Sequence, residues 1–260
     1  MHKIAKLALA VALYTTSAMP GFTQSNKPTI VLVHGAFADS SSWNQVISHL
    51  EKHGYPVLAV ANPLRGVKRD GDYVRRAVKD IKAPIVLVGH SYGGSVISDA
   101  AAGMENVQAL VFVAAFAPEI GESAADLSGK FPGSTLASAL GEAVTLADGE
   151  GKDLYIDQRK FPAQFAADVP LAEAKLMAAT QRPITDAALA EPAPKAAWKV
   201  IPSWFIHGDA DRNIPPHALQ WMADRANSRK TVVVKGGSHV VMISHPGEVA
   251  KLIEQAASEK

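Results

Sequence analysis

The stretch from Pro84 to Gly94 constrains the fold more than any other part of the chain. The apolar run Pro-Ile-Val-Leu-Val has strand length and stops at Gly89, and Ser91 follows before Gly93 and Gly94. A helix-like segment then begins near Ser95. This is a G-x-S-x-G motif between a strand and a helix, the context in which a tight turn exposes a nucleophilic serine. The glycines are needed because such a turn leaves no room for neighbouring side chains. We therefore predict that Ser91 is a nucleophile.

Apolar runs of strand length recur along the chain, separated by amphipathic segments of helix length. The further predicted strands cover 28–33, 56–61, 107–115, 204–206 and 231–234. Strands that alternate with helices in this way indicate βαβ units and a parallel sheet. We therefore predict an α/β fold: an open, mostly parallel sheet of about six strands, flanked by helices. Among the helices, 65–82 is rich in charge, and its interleaved Asp70, Asp72 and Asp80 favour a solvated face over a phosphate or membrane patch.

The alternation breaks at Pro118. The segment 119–195 shows no strong strand and carries short helical pieces separated by prolines. It is predicted to be a helical insertion over the sheet, a lid. The α/β core then comprises 25–118 and 196–260.

The first residues have the three-part pattern of a secretory signal peptide. Lys3 and Lys6 precede an apolar run that is too short to span a membrane, and small residues follow. Cleavage is expected after Ala18 or a few residues later, near Gln24, so 1–24 is assigned as the signal. A secreted or periplasmic enzyme without a membrane anchor is expected.

Composition excludes several classes of function. The 260 residues carry a formal net charge of +1, so no overall basic field favours nucleic acid. The chain has no cysteine, which rules out disulfides, thiolate catalysis and cysteine-ligated zinc. The alternating His207, Asp209 and Asp211 resemble a metal-ligand set, but nothing else completes one. No metal and no cofactor are expected.

Three polar residues follow the ends of three predicted parallel strands: Ser91, Asp211 and His239. Reacting groups in open α/β sheets gather at that edge. The order Ser…Asp…His predicts a triad in which His239 takes the serine proton and Asp211 orients the histidine. Asp209 is the main alternative acid and Glu119 a more distant one.

The oxyanion of such a reaction needs backbone donors. We predict the N–H groups of Tyr92 and Ala36. His34, His90 and His207 are interpreted as hydrogen-bonded structural histidines rather than bases.

The segments Val-Leu-Val-His-Gly-Ala, Gly-His-Ser-Tyr-Gly-Gly and Gly-Ser-His-Val-Val-Met-Ile identify a resemblance. The chain resembles serine hydrolases of the α/β-hydrolase superfamily, in the branch with plant methyl-ester esterases, hydroxynitrile lyases and bacterial pyrethroid-type esterases. The lyases commonly carry threonine at the position of Gly35 and lysine at that of Val240. Without those groups a cyanide leaving group has no stabilisation, so lyase activity is disfavoured.

The resemblance implies a carboxylic-ester hydrolase that forms an acyl-serine intermediate on small to medium, mostly apolar esters. A cofactor-free perhydrolase or haloperoxidase-like enzyme, a lactonase, and a ligand-binding protein that retains the triad are the alternatives. The oligomeric state is left open. The expected pocket lining consists of aromatic residues and one methionine: Phe37, Phe116, Tyr155, Phe161, Phe165 and Met177.

Overall fold

A computed structural model describes residues 27–147, 149 and 151–259. The predicted signal peptide, 1–24, lies outside this range and stays a prediction. Among the described residues, none of the helices combines the length and apolar character needed to cross a membrane.

The strands, in chain order, are β1 (Thr29–Val33), β2 (Val57–Val60), β3 (Ile85–His90), β4 (Val107–Val113), β5 (Val144–Thr145), β6 (Lys152–Leu154), β7 (Ile184–Thr185), β8 (Ser203–Gly208) and β9 (Lys230–Val234). The α-helices are α1 (Asn44–Lys52), α2 (Val67–Ala77), α3 (Gly93–Ala100), α4 (Ala124–Lys130), α5 (Leu136–Ala139), α6 (Phe161–Phe165), α7 (Leu171–Thr180), α8 (Asp186–Ala190), α9 (Pro216–Arg225), α10 (Val241–Ser244) and α11 (Pro246–Ser258). Two 3-10 turns cover Ser40–Trp43 and Ala197–Lys199.

Six strands form one parallel sheet in the order β2-β1-β3-β4-β8-β9. Every residue of β3 and of β8 is buried, as expected of central strands covered by helices on both faces. Helix α1 packs against α11, and α2 packs against α3. The predicted α/β architecture is confirmed. All six strands point the same way, so their carboxyl ends share one edge.

The chain between β4 and β8 builds a separate layer, here called the insertion (119–195). It contains α4 to α8, as predicted, and also a small antiparallel sheet in the order β5-β6-β7. The short strands were not predicted from the sequence. These strands are only two or three residues long, too short for an alternating hydrophobic pattern.

The two ends of the insertion are tied together at its neck. The indole N–H of Trp198 donates to the carbonyl oxygen of Pro118 at 2.8 Å. Backbone bonds join Gly121 to Ala193 at 3.0 Å and Ala193 to Glu122 at 2.8 Å. The chain thus leaves and re-enters the core at one point.

Candidate active site

Ser91, Asp211 and His239 each follow a strand of the parallel sheet. Ser91 comes directly after β3, Asp211 three residues after β8, and His239 five residues after β9. Since the three strands end at the same edge, the fold brings the three side chains together.

The three side chains form a continuous hydrogen-bonded chain. The Ser91 hydroxyl lies 2.9 Å from Nε2 of His239. Nδ1 of His239 lies 2.7 Å from Oδ2 of Asp211. Oδ1 of Asp211 accepts the backbone N–H groups of Asn213 at 2.7 Å and Ile214 at 3.0 Å. All three residues are buried, so water competes little for these bonds.

The alternative acids are engaged elsewhere. Oδ1 of Asp209 accepts the backbone N–H of Gly236 at 2.6 Å, which makes it a turn former. Glu119 pairs with Lys199 at 2.8 Å at the neck of the insertion. Among the three candidates, Asp211 is the one whose carboxylate contacts His239.

The backbone at Ser91 adopts a positive φ of 53°, which side-chain-bearing residues seldom occupy. A Cβ atom built on Gly89 would lie 2.5 Å from the carbonyl oxygen of Gly93, and one on Gly93 would lie 2.5 Å from that of Val33. Only glycine fits at either position. The tight turn inferred from the motif is therefore present.

The two backbone N–H groups that were predicted to bind an oxyanion, those of Ala36 and Tyr92, lie next to Ser91. A Cβ atom built on Gly35 would lie 2.6 Å from Cβ of Ser91 and 3.2 Å from the backbone nitrogen of Tyr92. The segment that carries Ala36 therefore runs against the serine and Tyr92. Within the described chain, the backbone N–H groups of Ala36 and Tyr92 have no hydrogen-bond acceptor, so both can serve an incoming oxyanion.

Tyr92 is held by a buried carboxylate. Its phenol O–H donates to Oδ2 of Asp70 at 3.0 Å, and Asp70 also accepts the backbone N–H of Arg65 at 3.0 Å. Burial raises the pKa of Tyr92 well above its usual range, which keeps the phenol protonated. The prediction that Asp70 belongs to a solvated face was wrong, because Asp70 is 0% exposed. Its position on the apolar side of α2, one turn before Val74, was the available signal.

The other histidines of this region are buried and hydrogen-bonded. Nε2 of His34 accepts the Asn62 backbone N–H at 3.0 Å, and its Nδ1 lies 2.9 Å from the Gly35 carbonyl oxygen. His90 Nε2 lies 3.0 Å from the carbonyl oxygen of His239, and His207 Nδ1 lies 3.1 Å from that of Gly208. Burial lowers the pKa of His34 to about 4 and that of His90 well below its usual value. The His90 ring, whose centroid lies 4.8 Å from that of His239, is therefore neutral and places no competing charge beside it.

A cavity of about 370 Å³ opens onto Ser91 and His239. Of the predicted pocket residues, Phe37 and Phe116 line it, as do Ala36 and Tyr92. The sequence reasoning missed the contribution of the insertion: Ala124, Ala125, Ser128, Gly129, Ser134, Leu136, Ala137, Leu140 and Leu189, with Asn213 and Ile214 from the core. Their side chains carry no charge and many are small, so they give no sequence signal beyond helix formation.

Four residues predicted for the pocket lie elsewhere. Tyr155 lines a separate surface depression, and Met177 lines a second cavity of about 260 Å³. Phe161 and Phe165 are fully buried against each other, with ring centroids 4.9 Å apart. Phe165 packs edge-on against the His239 ring, with ring centroids 5.1 Å apart, and so supports the histidine without lining the cavity.

Among the described residues, no three histidine or carboxylate side chains lie close enough together to hold a metal ion. The Asp211 carboxylate is hydrogen-bonded to His239 and to backbone N–H groups, and the Asp209 carboxylate accepts the backbone N–H of Gly236. These contacts account for the alternating residues after β8.

Comparison with known sequences and structures gives matches over most of the chain. The profile of the family described as "Alpha/beta hydrolase family" matches residues 30–252. The "Alpha/beta hydrolase nvfD" of Aspergillus novofumigatus is 26% identical over 254 residues, covering 90% of this chain and 98% of that protein. The "Alpha-hydroxynitrile lyase" of Arabidopsis thaliana is 24% identical over 254 residues, covering 90% and 98%.

Solved structures share the fold. The crystal structure of polyneuridine aldehyde esterase, an enzyme known from Rauvolfia serpentina, matches with a TM-score of 0.75 and 20% identity over 88% of this chain and 98% of that one. An extracellular alpha/beta-hydrolase from a Paenibacillus species matches with a TM-score of 0.72 and 25% identity over 89% and 100%. The structures of a methylesterase from Arabidopsis and of a pyrethroid hydrolase share the fold. The family match, together with the hydroxynitrile lyase and esterase relatives, confirms the resemblance stated from the motifs.

Proposed function

Because the chain belongs to the alpha/beta hydrolase family, we propose that it is a carboxylic-ester hydrolase acting through Ser91, His239 and Asp211. The single observation that carries the proposal is the hydrogen-bonded chain from Ser91 Oγ through His239 to Asp211, at 2.9 and 2.7 Å. The hydrolases and esterases among the similar proteins support the same class of reaction.

The chemistry follows from these positions. His239 Nε2 takes the proton of the Ser91 hydroxyl as Oγ attacks the ester carbonyl carbon, and Asp211 stabilises the imidazolium that forms. The carbonyl oxygen becomes an oxyanion, which accepts hydrogen bonds from the N–H groups of Tyr92 and Ala36. His239 then returns the proton to the departing alcohol, leaving an acyl group on Ser91. Water, deprotonated by His239, releases the acid and restores the serine.

The cavity favours uncharged, mostly apolar esters of small to medium size. Its lining contains no aspartate, glutamate, lysine or arginine. The hydroxyl groups that the insertion contributes are already bonded: Ser134 to the carbonyl oxygen of Asn213 at 2.8 Å and Ser128 to that of Ala124 at 2.8 Å. Away from Ser91, His239 and the oxyanion donors, an ionised substrate group would find no oppositely charged side chain, and burying it unpaired is costly.

Cyanohydrin cleavage is a less suitable reaction for this site. A Cβ atom on Gly35 would lie 2.6 Å from Cβ of Ser91, so this backbone has no room for a hydroxyl-bearing side chain there. Val240 is fully buried and offers no cation next to His239. The same two positions support ester hydrolysis over lyase chemistry.

The test is hydrolysis of p-nitrophenyl esters over a series of acyl lengths by wild type and Ser91→Ala. We expect turnover that disappears in the alanine variant, with a burst of p-nitrophenol wherever deacylation is the slow step. Asp211→Asn and Asp209→Asn form a matched pair after the same strand. Only the first should lower kcat strongly, since only Asp211 contacts His239. A folded wild type that turns over neither these esters nor a lactone would refute the proposal and favour ligand binding.

A further inference from the structure

The insertion is linked to Asp211 by hydrogen bonds that the catalytic description leaves unused. Nε2 of Gln164, at the end of α6, donates to Oδ1 of Asn213 at 2.7 Å and to the carbonyl oxygen of Arg212 at 2.9 Å. Its Oε1 accepts the Thr135 hydroxyl at 2.7 Å. Both polar ends of this side chain are therefore engaged, and Gln164 is buried.

The two residues that Gln164 holds are those that follow Asp211. Asn213 presents its backbone N–H to Oδ1 of Asp211 at 2.7 Å, and Ile214 adds a second at 3.0 Å. These bonds fix the Asp211 carboxylate so that Oδ2 faces Nδ1 of His239. One continuous path of hydrogen bonds therefore runs from Thr135 to Ser91, by way of Gln164, Asn213, Asp211 and His239.

We infer that Gln164 is a positioning residue: by clamping the loop after Asp211, it keeps the carboxylate aligned with His239. This inference rests on the proposed function, since it concerns the same three side chains. Gln164 touches no reacting atom and acts through Asn213 and Arg212. Asn213 lines the cavity beside Ser91, whereas Gln164 does not, so a change at Gln164 removes no direct contact with substrate.

Gln181 provides a matched control. It is also a glutamine of the insertion, and it also makes three hydrogen bonds: with the N–H of Ile156, the carbonyl oxygen of Ile156 and that of Ala178, each at 2.9 Å. None of these partners contacts Asp211. Gln164→Leu and Gln181→Leu therefore remove equivalent interactions from the insertion, and only the first removes the clamp.

The experiment measures kcat and KM for a p-nitrophenyl ester in wild type and both variants. It also records the proton resonance of His239 Nδ1–H, which is identified by its loss in His239→Gln. For Gln164→Leu we expect kcat to fall about tenfold, with KM changed less than about twofold, because ground-state contacts are retained. The resonance should broaden or move upfield as the bond to Asp211 loosens. Gln181→Leu should leave kcat and the resonance as in wild type.

Gln164→Glu serves as a second variant if the leucine variant does not fold. It keeps the acceptor for Thr135 but removes both donors to the loop, so the same changes are expected. An unchanged kcat and resonance in the folded Gln164 variant would overturn the inference, as would an equal loss in Gln181→Leu. If wild type hydrolyses no ester, the proposed function fails, and the resonance alone decides the role of Gln164.

Discussion

Replacing Gly35 by alanine is the most direct test of the geometry around Ser91, the proposed nucleophile. The new Cβ atom would lie 2.6 Å from Cβ of Ser91 and 2.7 Å from the carbonyl oxygen of His90. Carbon atoms pack at about 3.5–4.0 Å, so the serine or the Gly35 segment must move by about 1 Å. A displacement of about 1 Å at a reacting group costs about 100-fold in rate. The same movement displaces the proposed oxyanion donor of Ala36, so we expect a fall in kcat of at least that size.

The stability cost of Gly35→Ala should be modest by comparison. Overpacking a tight interior costs about 1–3 kcal/mol, and a chain of this length loses about 2–4 °C in Tm per kcal/mol. The assay compares single-turnover acylation by a p-nitrophenyl ester with thermal unfolding followed by circular dichroism. Gly247→Ala is the control, because a Cβ there meets its nearest neighbour, Cε1 of His49, at an ordinary 3.8 Å. Acylation by folded Gly35→Ala within about threefold of wild type would refute the reasoning.

Two further predictions concern pH and pocket size. Burial lowers the pKa of His34 from 6.5 to about 4. Between these two pH values the unfolded chain binds more protons at His34 than the folded protein does. The free energy of unfolding therefore falls by about 3 kcal/mol as the pH is lowered through this range. Urea unfolding of His34→Gln should depend less steeply on pH there than wild type, and equal slopes would count against the assignment. Gly129 lines the cavity, and a Cβ built on it meets nothing within 4 Å, so Gly129→Leu should fold and lower kcat/KM for long acyl chains by about tenfold or more. Acetyl esters should be little affected, and an unchanged chain-length profile would show that α4 does not bound the acyl site.

The parallel sheet and the three residues at its edge could be predicted because their signals are local and strong. Fully apolar runs mark buried parallel strands, and the glycines around Ser91 mark a turn that excludes side chains. The order Ser91, Asp211, His239 then follows from which loops leave the same sheet edge. The choice between Asp211 and Asp209 needed the structure, since both follow β8 within three residues.

The cavity was predicted less well, for a physical reason. Large aromatic residues were expected to line the cavity. Phe161 and Phe165 are instead buried against each other, and Phe165 packs against His239. The space exists because residues with small side chains, such as Ala125 and Gly129, line it. Small residues of this kind form no pattern in the sequence that would mark a cavity. Asp70 was misassigned because a charged residue on a helix usually faces solvent. Its place one turn before Val74 on the apolar side of α2 hinted at burial, and the contact with Tyr92 shows what the carboxylate binds.

The closed neck of the insertion bears on how such a protein diversifies. Trp198 and Pro118 are bonded to each other, so the strands on either side keep their register whatever the length of chain looped between them. Loop-closure free energy grows only slowly with length. Segments of 119–195 other than those that carry Thr135, Gln164 and Phe165 can therefore be lengthened, shortened or exchanged while the sheet edge that carries Ser91, Asp211 and His239 is preserved. Because most of the cavity wall comes from this segment, new substrate ranges can arise without new catalytic residues.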